Sequence, residues 1–288
     1  MTQSMTFVCG EDKIDFRLGG KYWLEKVEGL NEGSVTRRED EYIDTDGLEY
    51  GDELYEPRTV TLYGFIQATS RKELFQLRQK MARILNGKAK GILKYSNGFN
   101  RYFSEAVADL PQFGERVQNI LSFVVDFNLY RFYWKDDYRY DTQVFSRSDK
   151  LLGRFTFASL TDKIIVSEVI PSGTLVNSGD IKTDLIIRVK GTKTPSQTSA
   201  NKGFKITNEA TGEYIQLAYN ISNGETVTID TRECTITSSN GTNLMNCLHV
   251  DSTFFRLECG ANRLTGSLLN PYLGISIETE HYNMRIGV

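Results

Sequence analysis

Apolar and polar residues alternate with a period of two along most of this chain. The alternation is clear in Thr59-Val60-Thr61-Leu62-Tyr63-Gly64-Phe65-Ile66, and it recurs from Ile120 to Leu129, in Leu185-Ile186-Ile187-Arg188-Val189 and in Val227-Thr228-Ile229-Asp230. Because successive side chains of a strand point to opposite faces, this period predicts strands with one buried face. Asn86-Gly87, Asn97-Gly98, Asn223-Gly224 and Asn240-Gly241 interrupt the pattern. Each supplies residues that tolerate the left-handed backbone a tight reversal needs.

One segment departs from period two. Ser70-Arg71-Lys72-Glu73 has the form of a capping box, with the Ser70 hydroxyl accepting from the Glu73 amide and Glu73 reaching back. Leu74, Leu77, Met81, Ile84 and Leu85 follow at helical spacing, and Asn86-Gly87 is a left-handed stop. The spacing predicts one amphipathic helix over 70–86 whose Leu and Met stripe packs on a sheet.

The texture changes near residue 140. Aromatic strands end in Phe132-Tyr133-Trp134, a polar stretch from Lys135 to Asp141 follows, and the remainder is rich in Thr, Ser and Gly with short, evenly spaced strands. Two domains are expected, 1–140 and 141–288, the second a β-sandwich. Its Thr211-Gly212 and Asn223-Gly224 are read as hairpin turns.

Composition narrows the function. A net charge of −3 and a pI near 5.6 are wrong for a protein whose main task is neutralising phosphate. The basic cluster Arg71, Lys72, Arg78, Lys80 and Arg83 lies within the predicted helix and reads as its solvated face. No segment has the apolar length of a secretory signal or a membrane span, so a soluble protein made in a cytosol is expected. Cys9, Cys234, Cys247 and Cys259 form no CxxC pair. They are expected to be buried reduced thiols, with a Cys234–Cys247 bridge arising only on later oxidation outside the cell.

No catalytic, cofactor or metal site emerges. Asp44-Thr45-Asp46-Gly47 resembles the start of a calcium loop, but its glycine comes too early and no closing Glu follows, so a turn is expected. Glu39-Asp40-Glu41 and Asp136-Asp137 are neighbours in sequence, which on a strand sends them to opposite faces rather than across a cleft. His249 and His281 are the only histidines and sit in no triad or HExxH context; His249, within Cys247-Leu248-His249-Val250, is expected on a strand. Asn220-Ile221-Ser222 and Asn240-Gly241-Thr242 mark surface turns. Trp23 and Trp134 stand in Tyr-rich contexts and read as core or interface anchors ahead of sugar platforms.

The most specific signal lies in the second half. Thr211-Gly212-Glu213-Tyr214-Ile215 is followed by Gly224-Glu225-Thr226-Val227-Thr228-Ile229-Asp230-Thr231, and then by Phe255-Arg256-Leu257-Glu258-Cys259-Gly260-Ala261-Asn262. This succession resembles the distal tail (Dit) proteins of long-tailed phages. The first half fits the same family through the strand Arg58–Ile66 and the capped helix ending at Leu85-Asn86, so the resemblance covers nearly the whole chain.

The resemblance implies a mainly β protein: an N-terminal β-barrel-like, tail-tube-related domain with one packed helix, and a C-terminal galectin-like β-sandwich. It implies a homo-hexameric ring at the virion tail tip, assembled in the host cytoplasm, that joins the tail tube protein to a tail-associated (Tal-like) protein and can hold receptor-binding proteins. DNA would pass through such a ring without tight binding. No enzyme activity, cofactor or membrane is implied. Aromatic N-terminal segments, with Tyr22, Trp23 and Phe65 as candidates, are expected at the ring interface. The competing reading is a carbohydrate-binding baseplate module that contacts cell-wall glycan through the C-terminal sandwich.

Overall fold

The structure, a computed structural model, describes residues 3–40, 49–146, 172–193, 202–270 and 273–288. It divides into two units. The first comprises Met1–Asp137 together with Met284–Val288, and the second comprises Tyr138–Asn283. The boundary after Asp137 lies close to the shift in composition. The return of the last five residues has no counterpart in the sequence pattern.

In the first unit β1 (Ser4–Cys9), β2 (Asp12–Arg17), β3 (Tyr22–Glu28), β4 (Val35–Asp40), β5 (Glu49–Tyr55) and β6 (Arg58–Gln67) precede α1 (Arg71–Ile84), the one α-helix among the described residues. After it come β7 (Lys90–Ser96), β8 (Arg101–Ala108), β9 (Gln112–Val117), β10 (Ile120–Leu129) and β11 (Trp134–Asp136), and the chain's last strand, β21 (Met284–Arg285), completes the unit. Ten strands form one sheet in the order β21-β11-β8-β7-β1-β2-β3-β6-β10-β9. A further pairing, Phe127 with Ala108 and Asn128 with Val107, joins β10 to β8 and closes seven strands into a barrel. Among the described residues β4 and β5 pair only with each other, as a separate two-stranded sheet.

The period-two pattern explains the barrel. In β6 the residues Val60, Leu62, Gly64 and Ile66 face inward, while Thr59, Thr61, Tyr63 and Phe65 face outward. The interior is aromatic: Phe16 lies 5.8 Å from Phe123 and Phe7 lies 5.3 Å from Phe127, ring centre to ring centre. Trp134, beside Tyr95, is fully buried. α1 lays Leu74, Met81 and Ile84 on this core, against β2 and β6.

The helix runs over 71–84, slightly inside the 70–86 read from sequence. Ser70 Oγ accepts from the Glu73 amide at 3.2 Å, as the capping box requires. Glu73 does not reach back to Ser70. Its carboxylate accepts from the amide and hydroxyl of Thr69 and from Lys21 Nζ. The Lys21 ammonium and the two Thr69 donors together hold the Glu73 carboxyl down at about 2. A depressed carboxyl stabilises the fold above its unfolded value of 4.5, and that contribution is lost as pH falls from there toward 2. An NMR titration should therefore place the Glu73 midpoint near 2. A midpoint near 4.5 would show that the Glu73 contacts with Lys21 and Thr69 are not formed.

The second unit begins with β12 (Tyr140–Ser146) and β13 (Ser172–Asn177), then β14 (Leu185–Lys193), β15 (Phe204–Asn208), β16 (Tyr214–Leu217), β17 (Thr226–Asp230) and β18 (Thr235–Ser238). β19 (Gly260–Leu268) and β20 (Gly274–His281) close it. Two antiparallel sheets, β12-β20-β14-β17-β18 and β13-β19-β15-β16, share one apolar core in which Ile187, Val189, Val227, Ile229 and Ile277 from the first meet Phe204, Ile206, Ile215 and Leu264 from the second. This is the layering of a β-sandwich.

The turn motifs of the second half work as side-chain staples. Glu225 accepts from Tyr219 Oη at 2.8 Å, from the Ser222 amide at 2.9 Å and from Ser238 Oγ. Burial raises its pKa, but these three donors outweigh burial and keep the carboxyl below its ordinary value. Thr231 Oγ1 accepts from the Leu185 amide at 2.9 Å and donates to the Leu185 carbonyl at 3.0 Å, and Asp230 accepts from the amides of Arg232 and Glu233. Fully buried Asn262 accepts from the Glu258 amide at 2.9 Å and donates to the carbonyls of Glu258 and Gly260 at 2.8 and 3.1 Å.

Three local expectations change. Thr211-Gly212 does lie in a hairpin, between β15 and β16. Asn223-Gly224 instead carries the chain from one sheet to the other, because β16 and β17 belong to different sheets. His249 is not on a strand; it follows a 3-10 turn at Met245–Cys247 and is exposed, with Nδ1 3.7 Å from Asp251. The thiols are free, and Cys234 and Cys259 are exposed in turns rather than buried. Cys234 takes a left-handed backbone, φ 51°, at the β17–β18 reversal, a position that packing does not cover.

Candidate assembly surface

The candidate residues from the sequence fall on both sides of the barrel wall. Tyr22 points inward: it is buried, and its hydroxyl donates to the Leu77 carbonyl of α1 at 3.0 Å. Burial pushes its pKa up to about 12. Trp23 and Phe65 point outward, pair in register across β3 and β6, and stack with ring centres 5.2 Å apart at 20°. Period two separates Tyr22 from Trp23, since neighbours on a strand cannot share a face.

This approach of β3 to β6 depends on Gly64. The register shifts between Leu24 and Lys26 opposite Gly64 and Tyr63, which marks a β-bulge. A Cβ at Gly64 would lie 2.2 Å from the Trp23 carbonyl oxygen, so no larger residue fits there.

Beyond the stacked pair the outer face becomes polar. Lys26 Nζ lies 5.8 Å from the centre of the Tyr63 ring, and the Tyr63 hydroxyl donates to Glu28 at 3.0 Å. Lys26 also pairs with Glu28, and hydrogen bonds from Lys26 and Tyr63 lower the Glu28 pKa. Further along, Thr61 donates to Asp126 at 2.6 Å and Thr59 to Asn128 at 2.9 Å. The surface is thus an aromatic patch bordered by an ordered polar network, the composition of a protein-contact surface with a polar rim.

One end of the ten-stranded sheet is open. β9 is its terminal strand, so one side of its backbone has no strand partner among the described residues. Val117, 65% exposed, and Ile120 flank the β9–β10 reversal. At the opposite end β21 offers only two residues. Sequence reading missed this edge, because a strand looks the same at an edge or in the middle; exposed Val117 beside Glu115 and Arg116 is its only local sign.

The remaining candidates do not converge. Asp136 lies 3.4 Å from Arg285, while Asp137 lies 4.0 Å from Lys94, so the adjacent acids face different cations. Residues 44–47 lie outside the described residues, as do the side chains of Glu39 and Asp40. No group of three or more potential metal-ligating His, Cys, Asp or Glu residues occurs among the described residues. No described helix is long and apolar enough to cross a membrane. In the second unit Lys205 Nζ sits 3.6 Å from the centre of the Tyr214 ring and covers it. Tyr138 meets Tyr140 edge-on, and Tyr140 stacks on His281. Glu280, held by Arg188 at 2.6 Å, is on the opposite face of that sheet, so aromatic and polar groups do not converge there as a sugar subsite needs.

Comparisons with known proteins follow the two units. Residues 18–129 match the phage tail protein RIFT-related domain, and residues 178–270 match the siphovirus-type tail component, C-terminal domain. The Dit protein of phage SPP1, described as a paradigm of hub adsorption apparatus in phages infecting Gram-positive hosts, superposes with a TM-score of 0.70 at 12% identity over 98% of both chains. Chains from the phage P2 baseplate in its activated conformation, with Ca and with Sr, superpose with TM-scores of 0.54 and 0.55 at 11% identity over the full length of both chains. No curated protein sequence matches. The chain is therefore a structural tail component of the siphovirus type. It belongs to the distal tail protein family, whose members serve as hub and baseplate components.

Proposed function

We propose that six copies of this chain close into a ring at the tail tip, with the barrel units forming the ring and joining the tail tube to a tail-associated (Tal-like) protein. In this reading the sandwich unit, galectin-like in topology, projects outward and holds receptor-binding proteins. The carrying observation is the asymmetry of the barrel unit. It has one six-residue edge strand, β9, and on another part of its wall the outward stack of Trp23 and Phe65. A closed ring needs two different patches on each subunit, which an edge and an aromatic face can supply. Tyr22 serves beneath the surface, tying β3 to α1. The glycan-binding alternative gains no support from the covered Tyr214 ring or from Trp134, which is buried.

Light scattering on the full chain tests the ring. Six copies of the 32.8 kDa chain should give about 197 kDa. The double variant Trp23→Glu, Phe65→Glu should shift most of the protein to single-chain mass at micromolar concentration, since a buried interfacial aromatic typically contributes about 2 kcal/mol or more. A single-chain mass for the wild type at hundreds of micromolar would sink the ring.

A further inference from the structure

The barrel unit carries a knob and a socket that the β9 edge and the Trp23–Phe65 stack do not use. Phe99, at the tip of the β7–β8 hairpin, is 74% exposed, more than any other aromatic side chain among the described residues. A single exposed apolar residue is ordinary. What sets Phe99 apart is the turn that holds it. Asn97 Oδ1 accepts from the amides of Phe99 and Asn100 at 3.0 and 2.8 Å, and the Asn97 amide donates to the Asn100 carbonyl at 3.3 Å. Ser96 Oγ accepts from the Gly98 amide at 3.3 Å. Gly98 takes φ 90°, a conformation that residues with a Cβ rarely adopt. The ring is thus presented on a backbone that is already ordered, so seating it against a partner costs little further entropy.

The socket is a cleft of about 190 Å³ where the end of α1 meets the β1–β2 reversal and the chain entering β7. Buried Ile84 and Ala89 and half-buried Cys9 line it, together with Lys88 and with Arg83, which pairs with Asp12 at 3.1 Å. A cavity of about 150 Å³ holds a benzene ring, so this cleft has room for one aromatic side chain. A guanidinium beside it can cover an aromatic face, as Arg78 does elsewhere in this unit at 4.8 Å over Phe113. Phe99 cannot fill the cleft of its own copy. β7 pairs with β1 from Ser96–Ser4 to Ile92–Val8. The hairpin tip follows Ser96, whereas Ala89 and Cys9 lie beyond the other end of that pairing. The seven residues of β7 hold tip and cleft about 20 Å apart.

We propose that the Phe99 tip of one copy seats in the cleft formed by Cys9, Ile84 and Ala89 of the next. The inference deepens the ring reading and rests on it. Tip and cleft are different patches of one subunit, so the contact is heterologous and repeats from copy to copy, as a closed ring requires. The Phe99 ring packs on Ile84 and Ala89, Arg83 covers its face, and the Cys9 thiol is shut away from solvent.

Light scattering and the reactivity of Cys9 test it together. Phe99→Asp changes only an exposed tip, so circular dichroism should show the fold retained, while assembly weakens about thirtyfold or more, as it does on loss of a central interfacial aromatic. Phe99→Tyr keeps the ring and should assemble like the wild type. In a background of Cys234→Ser, Cys247→Ser and Cys259→Ser, iodoacetamide reports on Cys9 alone. At a concentration where the chain with Phe99 is assembled, Cys9 should react more slowly there than in the same background carrying Phe99→Asp. Six-copy mass retained by Phe99→Asp overturns the dock, leaves the ring intact and gives the tip to a different partner protein. Lost assembly with Cys9 alkylated equally fast in both proteins overturns the cleft as the seat of Phe99. A wild type that stays a single chain overturns the ring itself, and the dock with it.

Discussion

Removal of the last five residues, Met284 to Val288, is expected to lower the unfolding transition of the barrel unit by more than about 10 °C. These residues form an integral part of that unit. Met284 is buried, and β21 pairs with β11 through Trp134–Arg285 and Lys135–Met284. The Ile286 carbonyl accepts from the Arg58 guanidinium at 2.7 Å, and the Val288 amide donates to Asn31 at 2.8 Å. Arg58 is almost fully buried, and burial lowers its pKa. Without Ile286 it retains only the Leu30 carbonyl as a hydrogen-bond acceptor among the described residues. Losing a buried Met side chain costs about 2–5 kcal/mol and losing a charged hydrogen bond about 1.5–3 kcal/mol. The sum, roughly 4–8 kcal/mol, is a large part of the stability of an ordinary domain. Differential scanning calorimetry of the full chain against Δ284–288 measures it. The core of the sandwich unit contains none of the five, so any transition belonging to that core serves as an internal control. A barrel transition unchanged within about 2 °C would mean that the tail is not structural.

Asn262→Ala is expected to destabilise the sandwich unit by roughly 2–3 kcal/mol, because it leaves the half-buried Glu258 amide and the Glu258 and Gly260 carbonyls without their side-chain partner. Water can reach the exposed Gly260 side of this turn, whereas the Asn262 side chain itself has no exposed surface. Gly260, at φ 95°, needs this turn to enter β19. Asn262→Asp is the informative comparison. It keeps the acceptor for the Glu258 amide and loses both donations, so its cost should exceed 1 kcal/mol and differ from that of alanine. Urea titrations of the three proteins measure the differences. An alanine variant within 1 kcal/mol of wild type would show that the turn is held by the backbone alone.

Much of the local structure was legible in the residues. The inward run Val60, Leu62 and Ile66 needed only period two, and α1 needed only its cap and its Leu and Met spacing. The outward position of Trp23 relative to Tyr22 also follows from alternation, once β3 is known to be a strand with its Tyr22 face buried. Asn223-Gly224 shows the limit of such reading. The dipeptide specifies a reversal, but whether the next strand joins the same sheet depends on which partner buries Val227 and Ile229. His249 shows another: an apolar neighbourhood marks a strand only when its backbone finds a ladder, and the 3-10 turn before it leaves His249 in a loop.

Strand existence, the helix with its cap, the turn positions and the separation into two compositionally distinct halves were determined by the sequence alone, because each is set by contacts within a few residues. Tertiary structure decided three things. It closed the barrel by pairing β10 with β8, returned Met284–Val288 to the first unit, and left β9 as an open edge. All three are pairings between residues distant along the chain, selected by which closure buries the most apolar surface while satisfying the backbone. The same holds for the surface on which assembly is proposed. Its residues are visible in the sequence, but it takes the fold to put Trp23 against Phe65 on the outside of the wall.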